Sequence, residues 1–203
     1  MKYSELSPEA QKKAHEKYEP EFFDEYVIED ANAKEQGKLR GFEIDKIHYS
    51  GFWSQGDGAS WEGTIDLKKF LEWEEQQEKP LLNDFQRVLL GAGAKYISSI
   101  SITCHGRYSH SHTMLLASSV NELAIGAELS DGPYAGMRGE DYEKLLNENV
   151  DEIDEILLSA ARDCADEIYK NLEAAYEYEC SEENFKELAE INEWEFDEEG
   201  EMV

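Results

Sequence analysis

Two groups of residues in this chain have types and spacings that could do chemistry: histidines near residue 110, and carboxylates between residues 140 and 179. The histidines lie in Cys104-His105-Gly106-Arg107-Tyr108-Ser109-His110-Ser111-His112. On a strand, His110 and His112 would share a face, because side chains there alternate with a period of two. Two imidazoles and a carboxylate such as Asp57 or Glu62 could then hold a metal, as a metal-dependent hydrolase requires. No third ligand is set by spacing and HExxH is absent, so no metal ligand and no cofactor is assigned. The competing reading is a hairpin whose polar side chains are satisfied locally. Cys104 and His105 would point to opposite faces and form no nucleophile–base pair. No catalytic residue is assigned.

The carboxylates define a helix face. Leu146, Val150, Ile153, Leu157, Ala161, Cys164, Ile168, Leu172 and Ala175 recur at steps of three and four, which predicts one helix from Gly139 to about Glu179. At about 100° per residue, Asp141, Glu148, Glu152, Glu155, Asp166, Glu173 and Glu177 fall opposite that stripe. Lys144, Arg162 and Lys170 only partly dilute the row. Fourteen acids lie between Glu140 and Glu179. Over roughly 60 Å of helix that is about one charge per 4 Å, against ~3.4 Å per phosphate along one DNA strand. Such a rod could occupy the nucleic-acid groove of a basic protein. Glu148–Glu152, Asp151–Glu155 and Glu173–Glu177 are like-charge pairs one turn apart, which repel. A purely structural helix would more often alternate signs; the competing reading is a solvated outer face. The seven opposing carboxylates are the candidate partner-binding residues.

A third unusual stretch, Tyr49 to Gly63, interleaves aromatics and glycines as YSGFWSQGDGASWEG. Its glycines do not form a phosphate cradle: no Lys-Ser/Thr follows, and the GxGxxG spacing is missing. Base stacking by its aromatics conflicts with a net charge of −28, since phosphate contacts supply most nucleic-acid affinity. A tight hairpin with core aromatics is the plain reading, and a ligand loop the other.

These features must be held by a scaffold. Ser7 caps a helix that starts at Pro8 and runs to Tyr18. Phe22, Phe23, Tyr26, Val27 and Ala31 predict a second helix, stopped at Gly37. Phe42–Tyr49 and Ala59–Ile65 read as strands of a hairpin turned at Gly-Asp-Gly. Leu67–Glu75 and Leu81–Leu90 read as short helices divided by Pro80, the second ended by Gly91. Tyr96–Cys104, Thr113–Val120 and Leu123–Glu128 read as further strands. The long helix follows, then a helix capped by Ser181 and an edge strand or acidic tail over 194–203. The expectation is an α+β fold: N-terminal helices, a mostly antiparallel sheet, and the long acidic helix packed on it. The Asp131–Gly136 loop suggests a core domain over 1–130 and an acidic helical region over 131–203.

With 40% hydrophobic and 11% aromatic residues the chain can bury a core. Its charge is uneven: residues 1–120 carry 20 acidic and 14 basic residues, residues 121–203 carry 27 and 5. An acidic half repels nucleic acid and anionic membrane and attracts a basic surface. Three scattered cysteines, without a signal peptide, point to a reducing compartment. No run of apolar residues is long enough to span a membrane.

The LSPEAQKKAHEKY start, the Tyr49–Gly63 run and Arg107-Tyr108-Ser109-His110-Ser111-His112-Thr113-Met114 together resemble a family of uncharacterised tailed-bacteriophage proteins. Members carry a YSGFxSQGDGAxFxG stretch and then an RYxHxxTM stretch. The resemblance covers roughly the first 120 residues, with Trp61 where the pattern more often has Phe, and leaves the acidic C-terminal region outside. It implies a phage protein made in the bacterial host cytoplasm. With the charge map, the expectation is a non-enzymatic, DNA-mimicking inhibitor of a basic nucleic-acid-binding host protein, such as a restriction, CRISPR or other defence component. It would bind no nucleic acid and no membrane itself; homo-oligomerisation is open. The alternatives are the metal-dependent hydrolase and a phage structural or assembly protein.

Overall fold

The computed structural model describes residues 1–18, 31–120 and 140–203. The fold is α+β. In chain order the elements are α1 (Pro8–Tyr18), α2 (Ala31–Leu39), β1 (Phe42–Tyr49), β2 (Ala59–Asp66), α3 (Leu67–Glu74) and α4 (Asp84–Gly93). There follow β3 (Ser99–Cys104), β4 (Met114–Leu116), α5 (Glu140–Glu179) and α6 (Glu182–Ile191). The strands form one antiparallel sheet in the order β1-β2-β3-β4. No helix of the described residues is long and apolar enough to cross a membrane.

The chain divides into two compact units: residues 30–169, and residues 1–29 with 170–203. The boundary expected at residue 130 lies outside the described residues, as do the Leu123–Glu128 strand, the Asp131–Gly136 loop and most of the Phe22–Ala31 helix.

In the larger unit, alternation puts Phe42 and Ile44 of β1, Trp61 and Ile65 of β2, Ile100 and Ile102 of β3 and Met114 of β4 into the core. Trp61 is fully buried; its ring centroid lies 5.4 Å from that of Phe42, which in turn stacks on Phe70 of α3. Its indole Nε1–H donates to the Ala161 carbonyl at 3.0 Å, a polar contact that ties α5 to β2, and Val150, Ile153, Leu157 and Cys164 of α5 are buried. The β1–β2 register shifts at Asp45, between Ile44 and Lys46. Gly63 faces that bulge, where any Cβ would run into the Glu43 carbonyl oxygen.

Helix ends follow capping chemistry. The Asp66 carboxylate accepts from Lys68 N and Lys69 N and starts α3; Asn83 and Gln86 form a reciprocal capping box that starts α4. Two expected glycine stops are corrected. Gly37 lies inside α2, where a Cβ would sit 2.8 Å from Ile44 Cδ1. Its role is to bring α2 close to β1, and the turn comes instead at Gly41, with φ +81°. Gly91 lies inside α4, which starts later and ends later than predicted because Asn83 fixes its first turn. Two strands are shorter than expected: β3 starts at Ser99 rather than Tyr96, and β4 ends at Leu116 rather than Val120.

The smaller unit has its own core of Tyr3, Leu6, Ala10, Ala14, Phe185, Ala189 and Phe196. The Tyr3 ring meets Phe185 edge-on at 5.1 Å. Ser7 Oγ accepts from Ala10 N, and Ser181 Oγ from Asn184 N, so both expected N-caps are present. Phe196 and Met202 form an antiparallel bridge that closes the segment expected as an edge strand or tail.

Candidate partner-binding face

Within the larger unit, the inward positions of α5 form one stripe from Asn149 and Val150 to Ile168. Glu148, Glu152, Glu155 and Asp166 are all exposed on the outer side. Their surroundings differ. Glu148 Oε1 is 3.8 Å from Lys144 Nζ one turn earlier, but both side chains are mostly in solvent, where such a pair contributes little. Glu152 Oε2 accepts from Gln86 Nε2 at 2.7 Å and ties α5 to α4. Glu155 and Asp166 form no hydrogen bond or ion pair among the described residues.

Arg162, expected to dilute the row, is turned aside: its Nη2 donates to the Met114 carbonyl on β4 at 3.1 Å. Ser159 stands between Glu155 and Arg162, so the face carries two acidic patches, one around Glu148–Glu155 and one at Asp163–Asp166. Glu167 is neutralised within the chain by Arg40 at 2.5 Å. Glu173, half-buried, and Glu177, exposed, belong to the smaller unit. Asp141 lies in α5, and its side chain is outside the described residues.

One carboxylate in this stretch has a different job. Asp154 is half-buried, accepts from the Val120 amide at 2.8 Å and binds the Ser119 hydroxyl. Burial pushes its pKa up, with the Ser119 and Val120 hydrogen bonds acting the other way. It anchors the chain after β4. Its helical angle, beside Val150 rather than Glu155, is the sequence signal that separates it from the outward row.

The aromatic–glycine run and the histidine run meet. Ser50 Oγ donates to the Ser109 carbonyl at 3.4 Å, and Gly58 packs against His110 so closely that a Cβ would lie 3.0 Å from Cδ2. Asp57 Oδ2 accepts from Trp53 N at 2.7 Å and Ser54 N at 2.5 Å, which folds residues 53–57 into a closed turn. The shared strand face expected for His110 and His112 is corrected. Ser111–Thr113 is a 3-10 turn, His110 Nδ1 accepts from His112 N, and the two rings stack at 4.8 Å. One imidazole nitrogen is thus occupied by the backbone, because the turn, not a ladder, satisfies these amides. Of the two carboxylates considered as a third metal ligand, Asp57 closes the loop and Glu62 lies 3.6 Å from His48 Nε2. Among the described residues no group of three His, Cys, Asp or Glu side chains is arranged to hold a metal ion. Cys104 Sγ donates to the Trp61 carbonyl, and burial pushes its thiol pKa up, the Ser60 hydroxyl acting the other way; this is the reverse of nucleophile activation.

A family model described as a domain of unknown function, DUF8835, matches residues 23–182. No curated protein and no solved structure matches the chain. The matched span contains the whole larger unit, both motif runs and all of α5. The acidic helix, which the phage-protein resemblance leaves outside, is therefore part of the shared domain. With well over half of its length matched, the chain belongs to the DUF8835 family.

Proposed function

We propose that this chain is a non-catalytic binding protein whose α5 face docks on the basic, nucleic-acid-binding surface of another protein and blocks it. The observation that carries this reading is the exposed row Glu148, Glu155 and Asp166, of which the last two have no neutralising partner among the described residues, on a chain of net charge −28. An exposed helix face holding like charges one turn apart loses a little stability. A cationic partner would recover it by neutralising the row. Opposite fields would speed encounter and make the complex salt-sensitive. The resemblance to tailed-phage proteins makes a host restriction, CRISPR or recombination protein the first partner to try, with the bacterial cytoplasm as the place.

The test is competition. The chain is titrated against DNA complexes of such host effectors at rising salt, beside a Glu148→Lys, Glu155→Lys, Asp166→Lys variant. Glu152 is spared because it holds Gln86. The expected result is release of DNA by the wild type, weakening as salt rises, and none by the variant. Equal release by a correctly folded variant overturns the proposal.

A further inference from the structure

Acidic residues fill 47 of the 203 positions, yet residues 85–121 contain none. Much of that stretch is surface. Of the residues from 95 to 118, 14 are exposed, and only Lys95 and Arg107 among them carry a fixed charge. The same stretch displays Tyr96, Ile97, Tyr108 and Leu115, which are 67%, 38%, 65% and 44% exposed. The part of the larger unit that has shed its carboxylates is thus also a part that shows apolar and aromatic side chains to solvent.

The fold sets this stretch on β3, β4 and the loops at the ends of β3. Ile100, Ile102 and Met114 face the core, so alternation turns Ser99, Ser101, Thr103 and Leu115 to the other side, with Leu115 opposite Thr103 in register. Tyr96 and Ile97 lead into β3, and Arg107 and Tyr108 lie in the loop that leaves it. That loop is closed at its base. The His105 amide donates to the Thr113 carbonyl at 2.9 Å, and the Thr113 amide and hydroxyl donate to the His110 carbonyl at 2.8 and 2.7 Å. The next strands mark the limit of the face. Glu43 of β1 and Glu62 of β2 lie 3.0 Å from Lys69 Nζ and 3.6 Å from His48 Nε2. α5 meets the sheet from the core side, where Trp61 bonds the Ala161 carbonyl.

We infer that the acid-free face of β3 and β4 is where a second copy of this chain docks, giving a symmetric dimer. In a two-fold contact a patch meets its own copy, so a carboxylate within it would face carboxylates. A chain of net charge −28 pairs at least cost through the stretch that has none. The centres of protein interfaces are depleted of charge and enriched in tyrosine and arginine, which is the composition here. A basic partner would draw on carboxylates that this face lacks, and a strongly acidic one would find only Lys95 and Arg107 to answer it. The inference does not depend on the docking reading of α5.

Sedimentation of the full chain over a range of concentrations tests it. The wild type is expected to form a dimer whose dissociation constant falls severalfold as salt rises from ~0.1 M to ~1 M, because repulsion between two negative copies then reaches ~3 Å instead of ~10 Å. Docking of α5 on a basic protein has the opposite salt dependence, so either can fail without the other. Tyr108→Glu and Leu115→Glu, made separately and together, change exposed side chains; each should weaken the dimer, and the pair should be monomeric with the wild-type melting temperature. Leu39→Glu changes another exposed leucine, at the end of α2, and should dimerise as the wild type does. A wild type that stays monomeric at high salt overturns the proposal, as does a dimer that salt dissociates or one that survives in the folded double variant. A monomeric wild type that retains a host protein which the double variant loses would assign the face to a different protein, and also overturns it.

Discussion

Glu74 is a charged side chain with no solvent exposure, and three contacts make its burial tolerable. Its Oε2 accepts from Arg87 Nε at 2.9 Å, its Oε1 from Arg87 Nη2 at 3.3 Å and from Leu82 N at 2.9 Å. The pair clamps the turn between α3 and α4. Burial alone would push the carboxyl up, but the Arg87 and Leu82 hydrogen bonds outweigh it and hold the pKa below the ordinary glutamate value. Because the folded-state pKa is depressed, the contribution to stability is complete above the unfolded-state value and is lost as pH falls through the folded one. Glu74→Gln should cost about 2–3 kcal/mol near neutrality, since it leaves the partly buried Arg87 guanidinium with only the exposed Asp84 carboxylate, 3.1 Å from Nη1, as its partner. Urea unfolding of wild type and variant across acid pH checks this. The gap should close as the wild-type carboxylate protonates; a gap that stays constant would show that shape, not charge, holds the turn. Cys164 makes the complementary case: burial raises its thiol to about 11, so it should resist maleimide labelling at neutral pH until the protein unfolds.

α5 shows a conflict between local and global requirements at the scale of one element. Asp151 and Glu155 are both exposed one turn apart and repel each other. Glu155→Lys would exchange that repulsion for attraction to Asp151 and Glu152, and should raise stability by roughly 0.3–0.5 kcal/mol. The same change should weaken binding to a cationic partner. Thermal melts at low salt test the first half, and a lower melting temperature would mean that the row is not under electrostatic strain. The extent of this helix, its apolar stripe, the β1–β2 hairpin and the caps at Ser7 and Ser181 were legible in the sequence, because each depends on local periodicity or capping chemistry. Gly37 reads in sequence as a stop because a glycine that permits close packing looks like one that ends a helix; Gly91, where a Cβ would meet only Leu71 Cδ1 at 3.8 Å, simply lies inside α4. Only the coordinates of Ile44 distinguish the two at Gly37. The paired loops were illegible for a related reason. The contacts of Ser50 with Ser109 and Gly58 with His110 join residues more than fifty positions apart through strand order. The spacing of His110 and His112 would place them on one face only if the segment were a strand, whereas the His110 imidazole, accepting from His112 N, caps a 3-10 turn. In the candidate face, outwardness could be read from the helical angle, but which acids were already engaged, such as Glu152 by Gln86 and Glu167 by Arg40, could not.

At the scale of the whole molecule, the two units differ in how they relate to the family. All seven buried residues of the smaller unit's cluster, from Tyr3 to Ala14 and from Phe185 to Phe196, lie outside the matched span of residues 23–182. The larger unit lies entirely inside that span and has an aromatic core around Trp61, Phe42 and Phe70 that draws on none of those seven. Each unit therefore has a core of its own, and the cluster should open as a separate cooperative unit. Phe185 is the place to test this: it is 1% exposed, and its ring lies within 6.5 Å of those of Tyr3, His15, Trp194 and Phe196. Phe185→Ala should remove about 3–5 kcal/mol from that unit by leaving a cavity among rings that have little room to collapse. Hydrogen exchange read by mass spectrometry should then show faster exchange in α1 and α6 while the β1–β2 hairpin and β3 keep wild-type protection. The docking face would follow the larger unit: the variant should release DNA from a basic host effector as the wild type does. Loss of protection spread evenly over both sets of elements would mean that the chain folds as one cooperative body, and that the acidic face depends on a core the family match does not contain.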